Sequence, residues 1–441
     1  MKKILLSIGL LAVNAIACFA STQAIFSLDA KTPTTITVPT NRHAFVQYVL
    51  KNNTTVQRTL TMQPIPNVTQ RSDDNSECSY PTFTLAPDQS CKLTLYVDGQ
   101  SLNASYTGGP IVCKTKSNSN EPDPFLCSQP ETSMVLSITP AQPAPTPDPG
   151  KTLYVSNWDG NSISLCYINA NTGNLEHCLV SAVSNTFANP EALAINNNVL
   201  FVANIGGGMS SCSINPPMGE LSDCINATDS ANAAFIHRPD GIAINGTTAY
   251  ISSFGPEQFR QGVSTCQITA ASLSNCAFTQ GDATFSRPSD IAITNNTVYV
   301  TNFNSQTLPT TYCTITNNNT LCTQAGGEGS ITGTSNLLNK PEGLTFTTIT
   351  GNTYAYFTNL GNNTVTLCQV TAPTNFSNCT TTGGYFSGFG NLAILPNPLK
   401  AFIPSGLKSI GICDVGLDGS LSNCVNSTEL NFNNPSGLII N

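Results

Sequence analysis

The chain has 441 residues, enough for more than one domain with its own core. Only 10% of the residues are charged and the formal net charge is −8, which excludes the basic stripe that nucleic-acid binding requires. Asn, Thr, Ser and Gly are abundant instead, as suits an exported β-protein with a polar, weakly charged surface.

Lys2 and Lys3 precede an apolar run from Ile4 to Ala17, and small residues surround Ala20, so residues 1–20 read as a secretory signal peptide. The run ends too early for a permanent anchor, and no later stretch reaches a transmembrane length. Cleavage near Ala20 would deliver the chain to the periplasm, the cell surface or the medium. The alternative is lipid attachment at Cys18, since Ala15-Ile16-Ala17-Cys18 resembles a lipoprotein processing site. Of the 17 cysteines, those other than Cys18 form an even set, which fits disulfides in an oxidising compartment.

Residues 25–139 read as a separate unit. Thr34–Val38, Ala44–Leu50, Val56–Met62, Thr82–Leu85, Lys92–Val97 and Met134–Ile138 alternate apolar and polar residues between clusters of Asn, Asp, Pro and Gly. That pattern predicts an immunoglobulin-like sandwich. Leu85-Ala86-Pro87-Asp88-Gln89-Ser90-Cys91-Lys92-Leu93 resembles the L-x-P-G-x-S-C-x-L segment of bacterial Ig-like domains of the ASPM/SPD/Hydin type. Asp88 stands where that segment has glycine, and the resemblance covers one strand and its turn. The cysteines of this unit allow several pairings, of which Cys78–Cys91 and Cys113–Cys127 close the shortest loops. Residues 140–150, with alternate prolines, read as a semi-rigid linker that does not require the flanking units to pack tightly.

From Lys151 onward one stretch returns. A proline-led apolar strand comes first: Pro190-Glu191-Ala192-Leu193, Pro239-Asp240-Gly241-Ile242, Pro288-Ser289-Asp290-Ile291, Pro341-Glu342-Gly343-Leu344 and Pro435-Ser436-Gly437-Leu438. Gly390-Asn391-Leu392 is a copy without the proline. An aromatic strand ending in Asn follows, as in Tyr154-Val155-Ser156-Asn157, Phe201-Val202-Ala203-Asn204, Tyr299-Val300-Thr301-Asn302 and Tyr356-Phe357-Thr358-Asn359. Asn and Gly between the two tolerate positive φ and mark tight hairpins. Each copy then carries a cysteine pair across a second hairpin. The expected bridges are Cys166–Cys178, Cys212–Cys224, Cys266–Cys276, Cys313–Cys322, Cys368–Cys379 and Cys413–Cys424, because facing hairpin residues lie at disulfide distance.

Self-similarity about every 45–55 residues, with four short strands per copy, predicts an all-β fold of propeller type. The first copy begins on its second strand at Lys151, and the last stops after Pro435–Ile440. The C-terminal strand is therefore expected to complete the first blade and close a ring of six over residues 151–441. The Pro-x-Gly-[Ile/Leu]-Ala-Ile and Tyr-Val-x-Asn strands resemble the NHL/YVTN-type propellers of bacteria, across about two thirds of the chain. The resemblance implies the propeller fold. Members of that group bind proteins, polymers or small molecules, and some six-bladed relatives are hydrolases or lyases, so fold carries further than activity. The chain is expected to be monomeric.

Strand order brings two loop sets to one face: those entering the first strand of each copy and those leaving the second. Glu191, Asp240 and Glu342 follow the prolines at the mouth of the central channel. Asn157, Asn204, Asn302 and Asn359 end the second strands nearby, followed by Trp158, Ile205, Phe254, Phe303 and Leu360. Six-bladed gluconolactonase-like enzymes place a divalent cation at this position, and calcium accepts such all-oxygen shells. The plainer alternative has the carboxylates meeting solvent, the Asn side chains bonding turns and the apolar set packing between blades.

Nucleophilic catalysis finds little support. His43, His177 and His237 are the three histidines, and no G-x-S-x-G, H-E-x-x-H or phosphate-loop pattern occurs. Zinc is disfavoured because no C-x-x-C occurs. Two functions stand: a non-enzymatic exported module binding a protein, polysaccharide or small molecule, and a calcium-dependent lactonase- or esterase-like hydrolase. The first is preferred.

Overall fold

The computed structural model describes residues 24–72, 76–117, 119–255, 261–280, 285–305, 309–316, 319–323, 337–372, 375–386, 390–429 and 431–441. The expected signal peptide, with Cys18, lies outside the described residues. Strands carry almost all of the architecture. Among the described residues no helix is long and apolar enough to cross a membrane.

The described residues of the N-terminal part form three sheets. Phe26–Ala30, His43–Asn52, Ser90–Asp98 and Val68–Arg71 make the first, in that order, and Pro122–Ser128, Val112–Thr115, Arg58–Met62 and Phe83–Leu85 make the second. In the third, Ser137–Ala141 pairs in parallel with Thr35–Pro39 and antiparallel with Tyr106–Thr107. Period-two alternation turns Ala44, Val46, Tyr48 and Leu50 inward, where they join Leu93, Leu95, Leu60 and Val112 in one core. Cys78–Cys91 and Cys113–Cys127 are bonded.

The stretch expected to act as a spacer is docked. Asn41 brackets Ala144, its Nδ2 donating to the Ala144 carbonyl and its Oδ1 accepting the Ala144 N–H, both at 2.8 Å. Beside it the fully buried Arg42 guanidinium bonds Glu220 Oε1 at 3.2 Å and the His177 carbonyl at 2.6 Å. Its Cζ lies 4.6 Å from the Tyr167 ring centroid. His43 Nδ1 meets Glu220 Oε2 at 2.6 Å, and Leu179 packs into the N-terminal core. Alternate prolines extend a chain but do not stop its neighbours from anchoring it; the linker's composition left tight packing open, and these contacts join the flanking parts.

From Thr152 onward the described residues form six four-stranded antiparallel sheets. Five are built from consecutive strands, starting with Pro190–Asn196, Pro239–Asn245, Pro288–Thr294, Pro341–Ile349 and Ala393–Pro396. In the sixth, Pro435–Ile440 pairs with Thr152–Asn157, so the two ends of the repeat region share a sheet. The six leading strands touch one another in cyclic order, and Pro435–Ile440 contacts both Ala393–Pro396 and Pro190–Asn196. This is the arrangement of a β-propeller. Its cores lie between adjacent sheets: Tyr154 packs with Leu193, Leu200 and Leu221 of the following sheet.

The third and fourth strands of five sheets are joined by Cys166–Cys178, Cys212–Cys224, Cys266–Cys276, Cys368–Cys379 and Cys413–Cys424. In the remaining sheet Cys313 faces Cys322 in register, and the Cys322 side chain lies outside the described residues.

Candidate functional site

A bulge aims the central carboxylates. Pro190 pairs with Asn204 and Leu193 with Val202, leaving an extra residue on the inner strand, and the same shift occurs after Pro239, Pro288, Pro341 and Pro435. A bulge re-aims the side chains that follow it. The backbone N–H that it frees two residues after the proline is met by a hydroxyl of the second strand. Gly437, Gly241, Asp290 and Gly343 donate to Ser156, Ser252, Thr301 and Thr358 at 2.7–2.9 Å. This is the physical role of Ser156, Ser252, Thr301 and Thr358, which the sequence reading did not single out; Ala203 holds the equivalent place before Asn204.

The inner strands pass so closely that alternate sheets need glycine at that position. A Cβ on Gly241 would come within 2.8 Å of the Asp290 backbone, and one on Gly343 within 2.5 Å of the Asn391 backbone. Where Asp290 or Asn391 stands instead, its side chain ties the strands together. Asp290 Oδ2 accepts the Leu344 N–H and Asn391 Oδ1 the Leu438 N–H, each at 2.8 Å.

Glu191, Asp240 and Glu342 converge, each offering a carboxylate oxygen within 4.8 Å of the others. Ser436 Oγ donates to Glu191 Oε1. Asp240 Oδ2 and Glu342 Oε2 are buried without a hydrogen-bond partner, although the Glu342 residue as a whole is only half-buried. Asp290 stands close enough to add its charge to the group, a fourth acid that the sequence reading passed over because a serine holds the position after Pro288.

Burial pushes the Glu191 carboxyl up to about 7, with the Ser436 bond opposing and the Asp290 charge adding to the rise. Burial also pushes Asp290 up to about 7 against its two backbone N–H bonds. Asp240 and Glu342 rise well above the usual carboxylate range, first through burial and then through the charges of their acidic neighbours. Taking a carboxylate out of water beside others of like charge disfavours ionisation. The cluster therefore holds protons or needs a cation.

Above it opens a cavity of about 200 Å³ whose walls are Trp158, Ile205, Phe254, Phe303 and Leu360, with Glu191, Glu342 and Ser436 below. The Phe254 and Phe303 rings meet edge to face, 5.7 Å between centroids. The apolar residues that follow the second strands thus form a pocket wall.

The four asparagines lie elsewhere. Asn157, Asn204, Asn302 and Asn359 are buried, and each Nδ2 donates to a hydroxyl of the third strand: Ser164, Ser210, Thr311 and Thr366, at 2.8–2.9 Å. Each Oδ1 accepts a backbone N–H from the loop entering the inner strand, from Asn433, Ala188, Ser286 and Asn339. Both ends of the amide are thus used in bracing loops, and none of the four lines the cavity. The histidines are also away from the cavity wall: His43 and His177 sit at the junction with the N-terminal part, and His237 packs on Phe278.

No family model matches the chain, and no curated protein matches it. Solved structures of similar shape include a candidate 6-phosphogluconolactonase from Bacteroides uniformis, 14% identical, with a TM-score of 0.42 over 70% of this chain and 92% of that one. A second, from Bacteroides fragilis, is 16% identical with a TM-score of 0.41, over 87% and 98%. A gluconolactonase from Xanthomonas campestris is 12% identical with a TM-score of 0.40, over 68% and 95%. Likeness at this level carries no argument about activity, and the fold stands on the sheet topology above.

Proposed function

We propose that this is an exported, disulfide-stapled binding protein whose ligand site is the axial pocket, with a calcium-like cation held on its floor by Glu191, Asp240 and Glu342. Residues 25–139 are read as an immunoglobulin-like sandwich and residues 151–441 as a six-bladed ring closed by the C-terminal strand. The observation that carries the reading is the pair of unpartnered, buried oxygens, Asp240 Oδ2 and Glu342 Oε2, beneath an apolar-walled cavity. An uncompensated buried carboxylate is costly, and a hard cation that accepts six to eight oxygens relieves several at once. The residues present fit such an ion, since three carboxylates supply the anionic oxygens and the open side faces the cavity. A cavity of this size suits a small molecule or a single protruding group better than a protein face.

The second reading, hydrolysis of a lactone or ester, is favoured by the same open side, where a substrate carbonyl would approach the floor. When bound there, the cation would act as a Lewis acid on that carbonyl. In either case the apolar walls exclude water and Ser436 orients Glu191.

Calcium titration of the melting temperature tests the reading, because a ligand of the folded state raises it. Identical melting curves in calcium and in chelator would remove the cation. A panel of lactones and esters separates binding from hydrolysis. Deleting Pro435–Asn441 tests the closed ring: the edges of Thr152–Asn157 and its neighbours would lose their partner, and unchanged melting behaviour would contradict closure.

A further inference from the structure

Behind the aromatic wall of the pocket stand charges opposite to those of its floor. In three consecutive sheets the residue before the proline is basic, and its carbonyl accepts the backbone N–H of a wall residue. Arg238 pairs in this way with Phe254 at 3.1 Å, Arg287 with Phe303 at 3.0 Å, and Lys340 with Leu360 at 3.1 Å. The basic groups lie over the wall rings: Arg238 and Arg287 Cζ are 5.6 and 5.5 Å from the Phe254 centroid, and Lys340 Nζ is 5.5 Å from that of Phe303.

Three further observations mark these side chains as more than surface charge. Their backbone is left-handed, φ 44°, 52° and 50°, a conformation for which Asn is better suited than Arg or Lys. Asn189 and Asn434, at the same position in two other sheets, are asparagine. None of the three basic residues belongs to an ion pair among the described residues, and Arg287 Nε is buried without a partner.

We propose that the pocket takes a small amphipathic organic anion, its carboxylate, phosphate or sulfate head held by Arg238, Arg287 and Lys340 and its apolar body filling the cavity. The body is about the size of a benzene ring or a six-carbon chain, since a cavity of roughly 150 Å³ already admits benzene. This rests on the reading of the axial pocket as the ligand site. With the floor neutralised by protons or a cation, the basic arc is the uncompensated charge that an entering ligand meets. Oxyanions bind guanidinium and ammonium groups through charge-assisted hydrogen bonds.

Trp158 lines the cavity and is the chain's single tryptophan, so its emission reports on the site. Hexanoate, hexan-1-ol and hexylammonium would be titrated into the full chain, in calcium and in chelator. Hexanoate is expected to bind about tenfold more tightly than the other two, and only its binding should weaken as salt is raised. The Arg287→Gln/Lys340→Gln variant should lower hexanoate to the level of hexan-1-ol and leave hexan-1-ol and the calcium-induced rise in melting temperature unchanged. Hexylammonium binding as tightly as hexanoate would overturn the proposal, as would salt-independent hexanoate binding in the wild type. No Trp158 response to any probe, with calcium still raising the melting temperature, sinks the anion site and spares the cation. Hexanoate binding without a calcium effect does the reverse.

Discussion

The protein buries charge in two places and treats it in opposite ways. At the junction of the N-terminal part with the propeller, Arg42 and His43 both pair with Glu220, opposite charges that leave only the Arg42 Nη2 without a partner. Burial raises the Glu220 carboxyl, but the His43 hydrogen bond and the charges of His43 and Arg42 outweigh it and hold the group below the usual range. At the propeller axis, Glu191, Asp240, Asp290 and Glu342 face one another, and all four are pushed up. Paired burial is what a structural contact requires. Like-charge burial with oxygens left unpartnered is costly for a fold with nothing to bind there, so the contrast itself separates scaffold from site.

The sharpest way to break this contrast is to remove one acid from each place. Glu220→Ala strands the fully buried Arg42 guanidinium and should cost about 3–5 kcal/mol, the range for breaking a buried pair from one side. Glu342→Gln at the axis should cost almost nothing in chelator, or stabilise. Calorimetry of both variants decides, and similar losses at the two sites would erase the distinction.

The two places also predict opposite limbs in the pH dependence of stability. Glu220 is depressed in the folded state, so its contribution is present above the ordinary glutamate value and is lost as pH falls through the lower folded one. Glu191 is raised from 4.5 to about 7, so its penalty is absent below 4.5, grows as pH climbs to about 7, and persists above. At 1.36 kcal/mol per unit, that limb is on the order of 3 kcal/mol for Glu191 alone. Stability in chelator should thus fall between pH 5 and 8, and calcium should abolish the fall. A flat profile across that interval in chelator would mean the axial acids are not crowded.

What the sequence made legible follows from how local the signal is. The repeat, its hairpins and the cysteine pairs lie within one sheet each, so spacing alone displays them. The convergence of Glu191, Asp240 and Glu342 was legible because each follows the same proline at the start of its copy. Asp290 was not, since it stands one residue further on, where the backbone turns side chains toward the next strand. Arg42 and Glu220 are 178 residues apart and belong to no repeat, so their contact has no local signature. The four asparagines were visible as a pattern, but a pattern at strand ends does not say whether the amide turns outward or, as here, inward to brace two loops.

The smallest predicted effect links the crowding of the axial acids to their hold on a cation. Asp240→Asn keeps the shape of the side chain, removes one charge from the cluster, and offers an amide N–H₂ to the neighbouring carboxylates. At pH 8 in chelator it should stabilise the protein by about 1–2 kcal/mol, roughly the repulsion that one charge contributes to a group shifted by a unit or more. The same substitution should weaken the calcium response about tenfold, because a charged ligand has become a neutral one. A tenfold weaker site forfeits about 1.4 kcal/mol in saturating calcium, so the gain seen in chelator should largely vanish there. Asp223→Asn, at an exposed position in the Glu220–Asn226 strand, is the control and should move stability by no more than about 0.5 kcal/mol in either. Destabilisation by Asp240→Asn in chelator would show that the carboxylate is held by contacts other than those described, and the axis would then resemble the junction: paired, structural and without a claim on a ligand.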